Sequence, residues 1–209
     1  MTERRILVLL AHPVLERSRV NRRMVAMANE LKGVTVHDLY EAYPSFHIDV
    51  KREQSLLESH DVVVFQHPFY WYSTPAILKE WQDLVLEHNW AYGNKGKKLE
   101  GKVTFNALTT GGPEAAYREG GYNRFTIRQL LAPYDQTAHL CRMRFIAPFV
   151  IHGSLRLETD EQVAPYVRDY RRILESLRDD RFDLERAAKS ERLNDELEQL
   201  IKVPEGARA

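Results

Sequence analysis

Residues 61–75 read DVVVFQHPFYWYSTP. Three valines and a phenylalanine in succession do not alternate with polar residues, so this is no half-solvated strand. A continuous apolar run of that length is what a parallel strand covered on both faces requires. The run then breaks into two prolines flanking four consecutive aromatics, far more flat surface than a short loop can hide. The strand therefore ends at a place that presents aromatic rings.

Outward from it, Ile6–Ala11 (ILVLLA) is a second continuous apolar run and Val103–Leu108 a third. Val34–Leu39 and Phe145–Ile151 complete five predicted strands. Between them the apolar spacing turns helical: Ser18–Lys32, ended by Gly33, then Lys51–Ser59, Pro75–Glu87, Phe125–Leu140 and Asp160–Leu177. Parallel strands need crossover connections, and alternation of five strands with helices specifies a doubly wound α/β/α sheet of order 2-1-3-4-5. Ligands bind such sheets beyond the carboxyl ends of strands 1, 3 and 4. Residues 1–178 are expected to form this domain. Residues 179–209 are dense in mixed charge and read as a helical extension, either a solvated face or an arm around a second copy.

The chain has 209 residues, of which 44% are hydrophobic, enough for one full core. Thirty basic residues balance thirty acidic ones. Nucleic acid is thereby disfavoured as a partner, since phosphate backbones select a basic excess. The apolar run near the N-terminus is too short for a signal peptide or a membrane span, and the expectation is a cytoplasmic protein. Cys141, the single cysteine, reads as an inert core thiol in a reducing compartment. The eight histidines lack paired metal-ligand spacing, so no metal site is expected. His67 and His139 read as structural, while His152 ends the fifth strand near the crevice.

Three loops leave the binding edge. The first, AHPVLERSRVN (11–21), carries His12 and places Ser18 and Asn21 at the start of a helix, where free N–H groups and the dipole favour an anion. Arg17 and Arg19 add charge. It has neither the dinucleotide fingerprint nor the triphosphate loop. The second loop is the aromatic one, a rigid wall for a planar ring. The third, LTTGGPEAAYREGGYNRF (108–125), offers the Thr109 and Thr110 hydroxyls and a close backbone approach at Gly111 and Gly112. A phosphorylated ligand with a flat ring fits all three, and FMN fits better than ATP because no magnesium-holding pattern is present.

These segments resemble the flavodoxin-like NAD(P)H:quinone oxidoreductases, the family that includes ancillary subunits of glutathione-gated potassium efflux systems, which are the nearest likeness. The resemblance runs through AHP with S-x-x-N, HDLYEAYPSFHIDVKREQ (37–54), FQHPFYWYSTPAILKEW (65–81), WAYG (90–93), TTGGPEAAY (109–117) and APF (147–149), about residues 4–175. It implies a flavodoxin-like fold and FMN in preference to FAD. His12, Ser18 and Asn21, with the backbone N–H groups of Arg19 and Val20, would surround the phosphate and ribityl chain. Phe69, Tyr70, Trp71 and Tyr72 would hold the ring, with Thr109, Thr110, Gly111 and Gly112 on its other edge. Tyr117 would stand beside the substrate. The family's quinone reductases follow that tyrosine with a histidine six residues on; here the position is Asn123, which donates a hydrogen bond but carries no proton at pH 7. The implied reaction is two-electron hydride transfer from NAD(P)H to a quinone by a ping-pong mechanism, in a homodimer. The implied alternative is a regulatory subunit of a membrane potassium–proton antiporter with little turnover, peripheral at the inner face of the cell membrane.

Overall fold

The computed structural model describes residues 3–202. Its sheet has the order β2-β1-β3-β4-β5, all pairs parallel: β1 Ile6–Leu10, β2 Val34–Asp38, β3 Val62–Pro68, β4 Val103–Thr109 and β5 Arg144–Phe145. A sixth short strand, β6 Phe149–Ile151, also pairs with β4. The single fifth strand expected over 145–151 is thus two pieces along one neighbour. Pro148 between them has no N–H to give the ladder. Every residue of β1, β3 and β4 is buried, as their unbroken apolar runs demand.

Helices cover both faces. One layer holds α1 Arg19–Asn29 and α7 Asp160–Arg178; the other holds α3 Val50–Glu58, α4 Ala76–Val85, α5 Ile127–Leu130 and α6 Ala132–Leu140. The helix expected over 125–140 is broken at Leu131, ahead of Pro133 in the first turn of α6. A short α2, Leu39–Ala42, is capped by Asp38, which accepts from Tyr40 N–H and Glu41 N–H. The same stretch builds a polar centre in the second layer. The wholly buried Glu53 accepts from Tyr43 Oη (2.6 Å) and Trp81 Nε1 (2.8 Å) and pairs with His37 Nε2 (2.8 Å). Hydrogen bonding from these three partners outweighs burial and holds the Glu53 carboxyl below its ordinary range.

The C-terminal segment, read from sequence as a solvated face or an arm around a second copy, packs on the sheet edge of its own chain through α8 Leu184–Lys189 and α9 Leu197–Leu200. Phe182, Ala187, Leu193, Leu197 and Leu200 are buried in the same apolar cluster as β1 and α7. Short, irregularly spaced turns place these few apolar residues on one side without the periodic stripe that sequence patterning detects. His139, expected in the core, lies exposed on α6. Cys141 is buried, and burial pushes its thiol up to about 11, so it stays protonated.

Candidate active site

The carboxyl ends of β1, β3 and β4 open into a cleft of about 970 Å³, lined by His12, Arg17, Ser18, Phe69, Tyr70, Trp71 and Gly111 among others. Such a volume lies within the range of small-molecule sites. No helix among the described residues is long and apolar enough to cross a membrane.

At one end of the cleft, Ser18 caps α1. Its Oγ accepts from the N–H (3.1 Å) and Nδ2 (3.2 Å) of Asn21, which leaves the hydroxyl proton free to donate. The Arg19 and Val20 N–H groups in the first turn have no protein acceptor among the described residues. His12 Nδ1 accepts from Val14 N–H at 3.2 Å, which requires the Nε2–H tautomer. Burial lowers the His12 pKa, so the ring is a neutral donor. The Arg19 guanidinium turns away to Asp160 of α7 (3.5 Å), where Arg23 also pairs, and Arg17 is the cation that remains at the cleft.

Asn21 does not line the cleft. It is buried, and its Nδ2 donates to Thr109 Oγ1 (3.1 Å) while its Oδ1 accepts from Gln66 Nε2 (3.3 Å). It is a strut tying α1 to the ends of β3 and β4. The Thr109 hydroxyl is engaged in that strut. The Thr110 hydroxyl is also occupied, donating to Gly112 O (2.8 Å) and meeting His152 Nδ1 (3.1 Å). Thr109 lines the cleft, and its hydroxyl, accepting from Asn21, keeps a proton to donate, whereas the Thr110 hydroxyl has already spent its proton on Gly112 O. The Gly111 and Gly112 N–H groups, in contrast, donate to no protein acceptor among the described residues.

The aromatic loop folds as a tight reverse turn. Ser73 N–H donates to Tyr70 O (2.9 Å), and Trp71 (φ 48°) and Tyr72 (φ 62°) both lie in the left-handed region. That turn type ordinarily takes Asn-Gly, and two bulky residues there cost about 1–3 kcal/mol each. The outcome is a Trp71 side chain that is 91% exposed beside the cleft, with Tyr70 half-exposed. Phe69 stays buried and meets Tyr117 edge to face at 6.2 Å. Tyr72 turns toward the third loop, its Oη donating to Asn123 Oδ1 at 3.2 Å. Asn123 therefore joins two loops instead of pairing with Tyr117.

The ring nearest Tyr117 on its other side is His152, with centroids 5.5 Å apart. Because the Thr110 proton goes to Gly112 O, His152 Nδ1–H is the donor to Thr110, and Nε2 is left as an acceptor. Burial, then the neighbouring Arg192 charge, depresses the His152 pKa to about 4, so the ring is neutral at pH 7. Burial, then Tyr72, raises the Tyr117 pKa and keeps its phenol protonated. Ser154 and the 85%-exposed Leu155 also border the cleft, with Leu155 Cδ1 packed 3.5 Å from where a Gly111 Cβ would stand. Patterning offered no signal for these two, which follow the interrupted strand on an irregular turn.

A family model described as a flavodoxin-like fold matches residues 4–174. The glutathione-regulated potassium-efflux system ancillary protein KefG of Serratia proteamaculans is 48% identical over 152 residues, 73% of this chain and 83% of that protein. The general stress protein 14 of Treponema denticola, solved in complex with FMN, is 38% identical with a TM-score of 0.77, covering 83% of this chain and 99% of that one. An NADPH-quinone reductase from P. pentosaceus is 32% identical with a TM-score of 0.74, covering 81% of this chain and 97% of that one.

Proposed function

The chain belongs to the flavodoxin-like family, and from that premise we propose that it is an FMN-dependent NAD(P)H:quinone oxidoreductase working by two-electron, ping-pong hydride transfer. One observation carries the reading: unpaired donors from two distant loops meet an exposed aromatic wall in a single cleft. Those groups fit FMN. The Ser18 hydroxyl, the Arg19 and Val20 N–H groups, His12 Nε2–H and Arg17 suit a phosphate at a helix N-terminus. Phe69, Tyr70 and Trp71 suit the ring, and the free N–H groups of Gly111 and Gly112 suit its polar edge. FMN rather than FAD is supported by the FMN complex of the Treponema relative.

When bound, FMN supplies the hydride chemistry between a nicotinamide and a quinone. The protein's part is placement and charge. The Gly111 and Gly112 N–H groups would stabilise negative charge at the ring edge of a bound FMN, as fixed dipoles do in any preorganised site. Tyr117, protonated at neutral pH, donates its phenol hydrogen to the quinone oxygen as charge develops there. A second copy of the chain would cover Trp71, and a homodimer is part of the proposal. Anaerobic stopped-flow tests it: NAD(P)H should reduce the FMN-loaded protein in one phase, and a quinone added afterwards should reoxidise it. Protein that takes up FMN but is not reduced by either nicotinamide would refute the assignment.

A second reading is favoured by the KefG likeness, which exceeds that to the quinone reductase. Here the protein docks on a potassium–proton antiporter at the inner membrane face and regulates it. Potassium efflux from cells carrying Tyr117→Phe separates the two. Full efflux control with quinone reduction crippled would assign the physiological role to docking.

A further inference from the structure

Arg192, Leu193 and Asn194 lie beyond the stretch that matches the family, and each grips a different part of the body. Leu193 is wholly buried and its N–H donates to Pro148 O at 2.9 Å. Asn194 Oδ1 accepts from Val150 N–H (2.8 Å) and its Nδ2 donates to Val150 O (3.0 Å). One amide side chain thereby satisfies both main-chain groups of an edge-strand residue, as a further strand would. Arg192 faces the other way. Its Nη2 donates to Glu114 Oε1 at 2.6 Å, while Nε and Nη2 reach the two oxygens of Asp195 at 3.0 and 2.6 Å.

Glu114 stands three residues before Tyr117, at the start of the third loop. At the loop's far end, Arg128 of α5 donates to Ser190 O (2.6 Å) and Ala188 O (2.7 Å). The loop that carries Tyr117 is tied at both ends to one segment. Between loop and segment lies a second cavity of about 500 Å³, lined by Tyr117 and His152 together with Arg192 and Asp195. Completing the apolar core requires Leu193, Leu197 and Leu200 but not a guanidinium reaching across a cavity. Arg192 is only 17% exposed and is already oriented by Asp195, so gripping Glu114 costs little further ordering.

We propose that the C-terminal segment is a clamp on the Tyr117 loop, with Arg192 the positioning residue that sets how Tyr117 meets its substrate. The placement of the loop stands on its own; the catalytic consequence rests on the quinone reductase reading. Hydrogen exchange on the protein without added nucleotide tests the clamp directly. The Ala116, Tyr117 and Asn123 amides, all hydrogen-bonded inside the loop, should exchange about fivefold faster in R192Q, while β3 and β4 amides keep their protection. E114Q leaves the Arg192–Asp195 pair intact and alters only an exposed side chain; it should show the same loop effect, and the double variant should be no faster than either single. In turnover, R192Q should raise KM for quinone about fivefold with kcat/KM for NAD(P)H unchanged within about twofold. Unchanged loop exchange in both single variants overturns the clamp. So does a general loss of strand protection in R192Q with no loop effect in E114Q, which marks a purely structural arginine. Faster loop exchange in a protein that never oxidises NAD(P)H upholds the clamp and removes the reductase reading alone.

Discussion

Acid should unfold this protein through a residue that takes no part in its chemistry. His67 is wholly buried near the end of β3. It donates from Nδ1 to Pro68 O at 3.0 Å and accepts at Nε2 from Asn106 Nδ2 at 3.0 Å. Both ring nitrogens are committed to the neutral form, and no carboxylate stands near to welcome a charge. Desolvation lowers its pKa from 6.5 to about 4. The unfolded chain takes up a proton here near pH 6.5, whereas the folded protein resists until about pH 4. Protons therefore favour the unfolded state, and stability falls with pH across that window. The full difference of about 2.5 pKa units corresponds to about 3 kcal/mol, of which about 2 kcal/mol is lost by pH 5. That is a large share of an ordinary domain's stability. Urea unfolding of the wild type at pH 7.5, 6 and 5 gives the total loss, to which the similarly depressed His152 adds its share, and His67→Gln, which cannot titrate there, should be about 2 kcal/mol less sensitive over the same range. Parallel pH profiles for the two proteins would refute the reasoning.

Other consequences follow from named contacts. Glu53→Ala strands three donors around a buried hole and should cost about 3–5 kcal/mol in chemical denaturation. Its depressed pKa adds stability at neutral pH that is lost as the solution falls below about pH 4.5, so the gap between wild type and variant should narrow in strong acid. Asn21→Ala removes the strut between Ser18, Thr109 and Gln66; stability should fall by about 1–3 kcal/mol and FMN affinity with it, read by denaturation and by fluorescence titration. Tyr117→Phe should slow quinone reduction about tenfold while leaving reduction by NAD(P)H unchanged in the stopped-flow trace.

The parts of the fold that can be read from sequence are those where burial acts on consecutive residues. ILVLL and VVVF admit only one environment, and with helical spacing between them the strand order follows. Pro148 divides the fifth strand because a ladder cannot pass a residue without a donor, yet in isolation it looks like a strand end. The packing of the C-terminal segment is not legible because its apolar residues are few, and their burial depends on Pro148, Val150 and Ala147 from far upstream; Ala147 N–H donates to Ala187 O at 2.9 Å. At the site, loop positions were legible but side-chain directions were not. Asn21 is consumed by ties between elements, and the Thr110 hydroxyl by its bonds to Gly112 and His152, which only a three-dimensional arrangement can reveal. His152 reaches Tyr117 from the turn just past β6, a pairing that no spacing along the chain encodes.

The central claim is that the cleft above β1, β3 and β4 holds a flavin. Titrating the purified protein into FMN and following flavin fluorescence tests it without any redox step. The account predicts saturable binding of one FMN per chain at micromolar affinity or better, about −8 kcal/mol or more favourable, weakened by Ser18→Ala. Fluorescence that does not respond, in a protein whose hydrogen exchange shows the sheet intact, would contradict it.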